Sequence, residues 1–276
     1  MQSLQSSRGK KLRDAQNLFI AEGLQSVREA LTSKLSYLEV ETLYLTENAQ
    51  QKYAAELNLS KIATDKLVLV SEQVMRSMTS AETPQGILAV CENKQSLNFW
   101  DFIQSHANNV KNSKSSGKRI AYFWQIQDPG NAGAVIRSAD ACGFDAVVFS
   151  TESVDVYNPK TVRATAGSLW HIPVFSQLPI EDFISDAMKN DFKCFGLDAK
   201  SDDVLEAIVE KLDEKNSSVW LFGNEARGLP KLSNGVKTVS IPMKGSAESF
   251  NLAAAAAIVM YLVTDRKSTR LNSSHV

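Results

Sequence analysis

The chain has few cysteines, no apolar leader and no apolar run long enough for a bilayer, and each shortage excludes something. Cys91, Cys142 and Cys194 stand far apart, with no CxxC pair and no even count for a disulfide framework, so reduced thiols and a cytoplasmic setting are expected. The opening MQSLQSSRGKKLRD carries no apolar core of an export signal. The longest apolar run, Leu252 to Val263, falls short of the ~20 residues that a membrane span needs and reads as a buried helix. No GxGxxG follows a strand and no GxxxxGK[ST] occurs, which removes the usual dinucleotide and nucleotide-hydrolysis cradles. His106 and His171 are isolated and no Cys/His ligand spacing appears, so no metal is expected. An excess of positive charge is missing too: 30 basic against 31 acidic residues leave a net charge of −1, and no overall cationic field favours a polyanion. Basic clusters at Arg8, Lys10, Lys11 and Arg13, and at Lys111, Lys114, Lys118 and Arg119, read equally as anion contacts or as solvated surface.

What is present is ample core material, with 43% hydrophobic and 22% charged residues over 276 positions, enough for one large or two ordinary domains. FIAEG, the helical LQSVREAL, TLYLT, LVLV and GILAVC alternate in a way that predicts a small α/β domain within residues 1–92. Residues 93–118 lose the pattern, and NNVKNSKSSGK suits an exposed linker. From Ile120 onward IAYFWQI, DAVVFS, FKCFGL, SVWLF and TVSIPM alternate with helical spacings, predicting a second α/β domain over 119–264 built on a mostly parallel sheet. Residues 265–276, ending TRLNSSHV, offer nothing to pack and are expected to be disordered, an appended rather than native tail whose His275 has no role.

Three segments in the second domain carry polar groups at strand-to-helix turns. In QDPGNAGAVIRSADACGF, turn and capping residues from Asp128 to Asn131 precede a helix that Gly143 can end. Gly133 and Arg137 share a helical face, and side chains lean toward the helix N-terminus, so Arg137 is expected to reach back toward Asn131 and present a guanidinium fork to a phosphate. The plainer alternative is a capping Asn131 and an ordinary surface Arg137. LFGNEARGLP frames Glu225 between Gly223 and Gly228, where backbone can approach a ligand closely or simply turn. IPMKGSAESFNLAAAAAIVMYL runs into an apolar helix that Ser249 or Asn251 would cap.

In this order, DPGNAGAVIR, FGNEARGL and IPMKGSAESFNLAAAAA resemble the motifs of the SpoU/TrmH family of RNA ribose methyltransferases, in the knotted SPOUT superfamily. The resemblance spans roughly residues 120–264, including YNPKTVRATAGSLWHIPV, and more loosely residues 18–91 through FIAEG, VREAL and TPQGILAV. Phe250 stands where the family more often has leucine. The resemblance implies a trefoil knot, a homodimer with the catalytic site near the subunit interface, and a small N-terminal domain that binds structured RNA, ribosomal or transfer. It implies 2'-O-ribose methylation with S-adenosylmethionine, with Arg137, Asn131, Glu225, Ser249 and Asn251 around the reaction. The cofactor is expected against Gly196, Leu221, Gly223, Ile241, Met243 and Leu252. A non-catalytic RNA-binding protein on the same fold, or a base methyltransferase, are the competing readings.

Overall fold

The computed structural model describes residues 2–6, 9–95, 98–109, 117–232 and 235–265. Arg8, Lys111, Lys114, the tail from 266 with His275, and the side chain of His106 lie outside the described residues. In chain order the first elements are α1 (Gln2–Gln5), α2 (Lys10–Gln16), β1 (Leu18–Glu22), α3 (Leu24–Leu31), β2 (Leu38–Leu45), α4 (Glu47–Tyr53), β3 (Leu67–Leu69), α5 (Glu72–Met78) and β4 (Ile87–Asn93). Next come α6 (Phe99–Asn109), β5 (Arg119–Phe123), α7 (Pro129–Ala141), β6 (Ala146–Phe149), α8 (Pro159–Ala164) and β7 (Val174–Phe175). The chain continues through α9 (Ile180–Lys189), β8 (Lys193–Leu197), α10 (Leu205–Lys211), β9 (Ser218–Phe222), β10 (Val236–Val239) and α11 (Leu252–Thr264).

The chain divides into two compact units: Met1–Ser96 with Asp155–His171, and Leu97–Val154 with Ile172–Val276. The first holds a four-stranded sheet in the order β1-β4-β2-β3, antiparallel except for the β2–β3 pair. Phe19, Ile20 and Ala21 of β1 and Leu88, Ala89 and Val90 of β4 are buried, and α3 packs Val27 and Ala30 onto them. Residues 155–171 belong here although the sequence reading placed them in the second domain. A buried cation explains the difference. Arg13 is 2% exposed, donates through Nε to Asp155 Oδ2 at 2.9 Å, and donates through Nη1 to the carbonyls of Leu4 (2.6 Å) and Ser6 (2.9 Å). Asn93 donates to the Tyr157 hydroxyl at 2.8 Å, and Phe19 stacks on Trp170. Arg13 is therefore not part of a surface basic cluster, as its neighbours in sequence suggested, because its charge is neutralised by Asp155 inside the unit.

The second unit is a six-stranded, wholly parallel sheet in the order β10-β8-β9-β5-β6-β7. Its central strands are largely apolar, as a sheet covered on both faces requires, and every residue of β6 and β9 is buried. Phe123 of β5 and Phe222 of β9 stack at 4.8 Å, and Phe195 of β8 stacks on Trp220 of β9 at 4.6 Å. The stretch read as a linker contains α6, whose Phe99, Phe102 and Ile103 are buried and whose Trp100 stacks on Phe183 of α9. Aromatic residues at helical spacing outweigh the polar composition that follows them. Helix α11 packs against α7, and no helix among the described residues is long and apolar enough to cross a membrane.

Candidate active site

From β5 the chain builds outward to β6 and β7, then returns to the other side of β5 to lay down β8 and β9. The carboxyl ends of β5 and β9 thus flank a switch point of the parallel sheet, where neighbouring loops diverge and leave a crevice. The loop after β5 leads into α7, whose N-cap is Asp128: its Oδ1 accepts from Asn131 N at 2.7 Å, and Pro129 fills the first turn. Asn131 is thereby not the cap. Its side chain is left to point at other segments.

The loop after β9 is a tight reversal closed by two backbone hydrogen bonds, Asn224 N to Gly228 O at 3.0 Å and Gly228 N to Asn224 O at 2.9 Å. It requires glycine at Gly223, where a Cβ would sit 2.2 Å from Gly228 C and 2.4 Å from Leu229 N. The buried Asn224 holds the loop from within. Its Oδ1 accepts from Ala226 N and Arg227 N, and its Nδ2 donates to the Gln125 carbonyl at 2.8 Å and, more weakly, to Glu225 Oε2 at 3.4 Å. The third segment enters α11 through Asn251, whose Oδ1 caps Ala253 N and Ala254 N.

These segments meet through side chains. Asn131 Nδ2 donates to Glu225 Oε1 at 3.2 Å, and Asn251 Nδ2 donates to Asn131 Oδ1 at 3.2 Å. The chain Asn251–Asn131–Glu225 has a fixed direction: both amides are oriented by their partners and the carboxylate ends the series. Beside it lies a cleft of about 520 Å³, within the ordinary range for small-ligand sites. Backbone at Gly223 and Gly228, apolar Leu197, Ile241, Met243, Leu252 and Ala255, and polar Glu225, Ser249 and Asn251 line it.

The residues expected at the site divide accordingly. Glu225, Ser249, Asn251, Gly223, Ile241, Met243 and Leu252 line the cleft, and Asn131 joins it through hydrogen bonds. Gly196 and Leu221 do not line it. Leu221 is buried in β9, and Gly196 lies under Leu229 and Leu232, whose methyl carbons come within 3.0 Å of where a Cβ would stand. Arg137 is exposed on α7 and hydrogen-bonds no described residue, Asn131 included; Asn131 instead bonds Glu225 and Asn251. The sequence reading missed Asn224, Leu197, Ala199 and Glu248. Asn224 was legible as the polar neighbour of Glu225 in a glycine-framed turn. Tyr122 takes no part: burial raises its hydroxyl far above the usual range, and it donates to the Leu178 carbonyl at 2.7 Å. Among the described residues no group of three or more His, Cys, Asp or Glu side chains could hold a metal ion.

A parallel sheet with a glycine-floored cleft at its switch point defines an α/β domain built to hold a small ligand against polar groups from separate motifs. The chain belongs to the SpoU rRNA Methylase family, whose model matches residues 118–261, and residues 1–89 match the MRM3-like substrate binding domain. It is 30% identical to the 23S rRNA (guanosine(2553)-2'-O)-methyltransferase RlmP of Bacillus subtilis, over 91% of this chain and 90% of that protein. It is also 30% identical to the 23S rRNA (uridine(2479)-2'-O)-methyltransferase of Streptomyces viridochromogenes, over 94% of this chain and 86% of that one. Among solved structures, the SpoU methyltransferase AviRb of Streptomyces viridochromogenes, in complex with the cofactor AdoMet, superposes with a TM-score of 0.77 at 26% identity, covering 97% of this chain and 96% of that chain.

Proposed function

We propose that the chain methylates the 2'-hydroxyl of a ribose in structured ribosomal RNA, using S-adenosylmethionine. The observation that carries this is the hydrogen-bonded Asn251–Asn131–Glu225 series, drawn from three separate motifs to the edge of a glycine-floored cleft. Membership in the family and the two 2'-O-methylating relatives support it.

The residues present fit the cofactor. A methionyl tail and a ribosyl adenine need a narrow site with apolar walls and backbone polar groups at close range. A Cβ at Gly223 would collide with the facing backbone, so that wall of the cleft is main chain, while Ile241, Met243, Leu252 and Ala255 supply apolar surface. When bound, the cofactor supplies a methyl group activated by a sulfonium. The protein's part is positioning and charge. Glu225, fixed by Asn131, is placed to accept a hydrogen bond from a sugar hydroxyl, and the Ser249 hydroxyl, which bonds no other described side chain, is placed to donate or accept beside it. Arg137 anchors the phosphate of the target nucleotide and offsets negative charge developing on the sugar oxygen; a guanidinium that stays protonated serves this role better than that of a base.

The first unit, built on residues 1–92 with 155–171, captures the RNA, and the parallel-sheet unit carries the transfer and the trefoil knot. A second copy packs on the exposed flank of α11, where Tyr261 is 57% exposed, to make a homodimer in the cytoplasm. Transfer of labelled methyl from S-adenosylmethionine to unmodified ribosomal RNA tests the reading. The unsubstituted chain should transfer, and Arg137→Ala should lose about a hundredfold or more in rate. RNA binding without transfer would sink it in favour of a non-catalytic RNA-binding protein.

A further inference from the structure

Next to Glu225 the same loop carries an arrangement that the methyl-transfer reading leaves unused. Arg227 lies over the half-buried indole of Trp124, 5.4 Å from the ring centroid. Its Nη2 donates to Gln125 Oε1, which restrains the guanidinium beside the ring. Gln125 is itself held at every polar atom. Its N–H donates to Ser150 Oγ at 2.7 Å, its carbonyl accepts from Asn224 Nδ2 at 2.8 Å and from Gln127 Nε2, and its Nε2 donates to Glu152 Oε2 at 2.6 Å.

Two of these residues have left-handed backbone without being glycine, Gln125 at φ 49° and Glu152 at φ 62°. Such conformations cost about 1–3 kcal/mol each and persist where surrounding bonds over-determine them. Here the bonds all converge on presenting Gln125 to Arg227. The guanidinium is exposed, lies over an aromatic ring, and makes no salt bridge among the described residues. A loop-locking contact would need none of this, because Asn224 and the Asn224–Gly228 pair already close the loop.

We infer that the outer face of Arg227, backed by Trp124 and clamped by Gln125, is the platform on which the base of the methylated nucleotide stacks. Unpaired RNA bases stack on aromatic rings and on guanidinium planes, and a base so held leaves its ribose near Glu225, two residues away in the same tight loop. The Gln127 and Glu152 side chains, joined to the same hydrogen-bonded group, carry amide and carboxylate oxygens, the chemistry that reads base edges. This inference rests on the methyl-transfer reading and adds to it a residue that selects the nucleotide.

The test uses the full chain and an RNA oligonucleotide spanning the mapped methylation site, made once with its normal base and once abasic at that nucleotide. Arg227→Ala should lower kcat/KM about tenfold to a hundredfold, chiefly through KM, with cofactor affinity within about twofold. Arg227→Lys should lose nearly as much, since an ammonium keeps the charge but has no plane. On the abasic RNA the penalty of Arg227→Ala should shrink to about twofold. Wild-type kcat/KM in Arg227→Lys would make the contact one of charge with phosphate and overturn the platform, as would an undiminished penalty on abasic RNA. Wild-type kcat/KM in Arg227→Ala overturns the platform alone; absence of transfer by the unsubstituted chain overturns the methyl-transfer reading, and the platform with it.

Discussion

Gly223→Ala probes the cleft wall with a single methyl group. The added Cβ would stand 2.2 Å from Gly228 C, 2.4 Å from Leu229 N and 2.6 Å from Gly228 O, all of it backbone that no rotamer change can move aside. Ordinary carbon contacts begin near ~3.5 Å, so the two sides of the loop must part by roughly 1 Å. The 3.0 Å and 2.9 Å hydrogen bonds that pair Asn224 with Gly228 stretch beyond useful length. Losing those bonds at about 1 kcal/mol each, with overpacking of about 1–3 kcal/mol, predicts a destabilisation of about 3–5 kcal/mol in urea unfolding. Glu225 moves with the loop, and a displacement of about 1 Å can slow a positioned reaction about a hundredfold. Calorimetric titration of S-adenosylmethionine and the transfer assay should both show the loss. Gly143→Ala is the matched control: its φ of 67° is left-handed, but nothing lies within 4 Å, so strain of about 1–2 kcal/mol is expected with cofactor affinity unchanged. A Gly223→Ala protein that binds cofactor and transfers methyl like the parent would refute the wall.

Three further substitutions probe separate contacts of the molecule. Arg13→Met leaves Asp155, 10% exposed, without its cation, and should destabilise the first unit by about 3–5 kcal/mol in urea; a change under about 1 kcal/mol would mean that the pair is not buried in solution. Asn251→Asp keeps an oxygen to cap α11 but loses the donor to Asn131, so unfolding should be nearly unchanged while transfer falls about tenfold, and equal losses in both would reduce Asn251 to a cap. Burial pushes the Glu29 carboxyl up, but hydrogen bonds from Arg28 and His171 outweigh it and hold the group below its ordinary value. A depressed acid contributes stability that is present above its unfolded value near ~4.3 and is lost as pH falls through the folded one, so the stability gap between the parent and Glu29→Gln should close in acid; a gap constant from pH 7 to pH 3 contradicts this.

Much of the second unit could be read directly from the sequence, because its central strands are largely apolar runs and the helices α7 and α11 begin at capping residues. Asn251 is an example, a capping residue before an alanine run. The grouping of residues 155–171 with the N-terminal sheet was not legible, since it depends on Arg13 finding Asp155 across more than a hundred positions, and a charged residue in a polar stretch looks like surface. Helix α6 was hidden for the opposite reason: a few aromatic residues anchor it beside a polar run that dominated the composition. At the site, the polar residues were visible as motif members, but their bonding was not. That Asn131 faces Glu225 and Asn251 rather than Arg137 follows from where the sheet brings the three turns, which only the strand order determines. Gly196 illustrates the same limit, a strand glycine whose open side is filled by Leu229 and Leu232.

The most direct measurement is the chemical position of the transferred methyl. Unmodified ribosomal RNA treated with the full chain and isotopically labelled S-adenosylmethionine is digested to nucleosides and weighed by mass spectrometry. The account predicts the added mass on the sugar fragment of one nucleoside, absent when Glu225→Ala or Asn131→Ala replaces the parent. Label on a base, or on the ribose in undiminished amount with both variants, would contradict it.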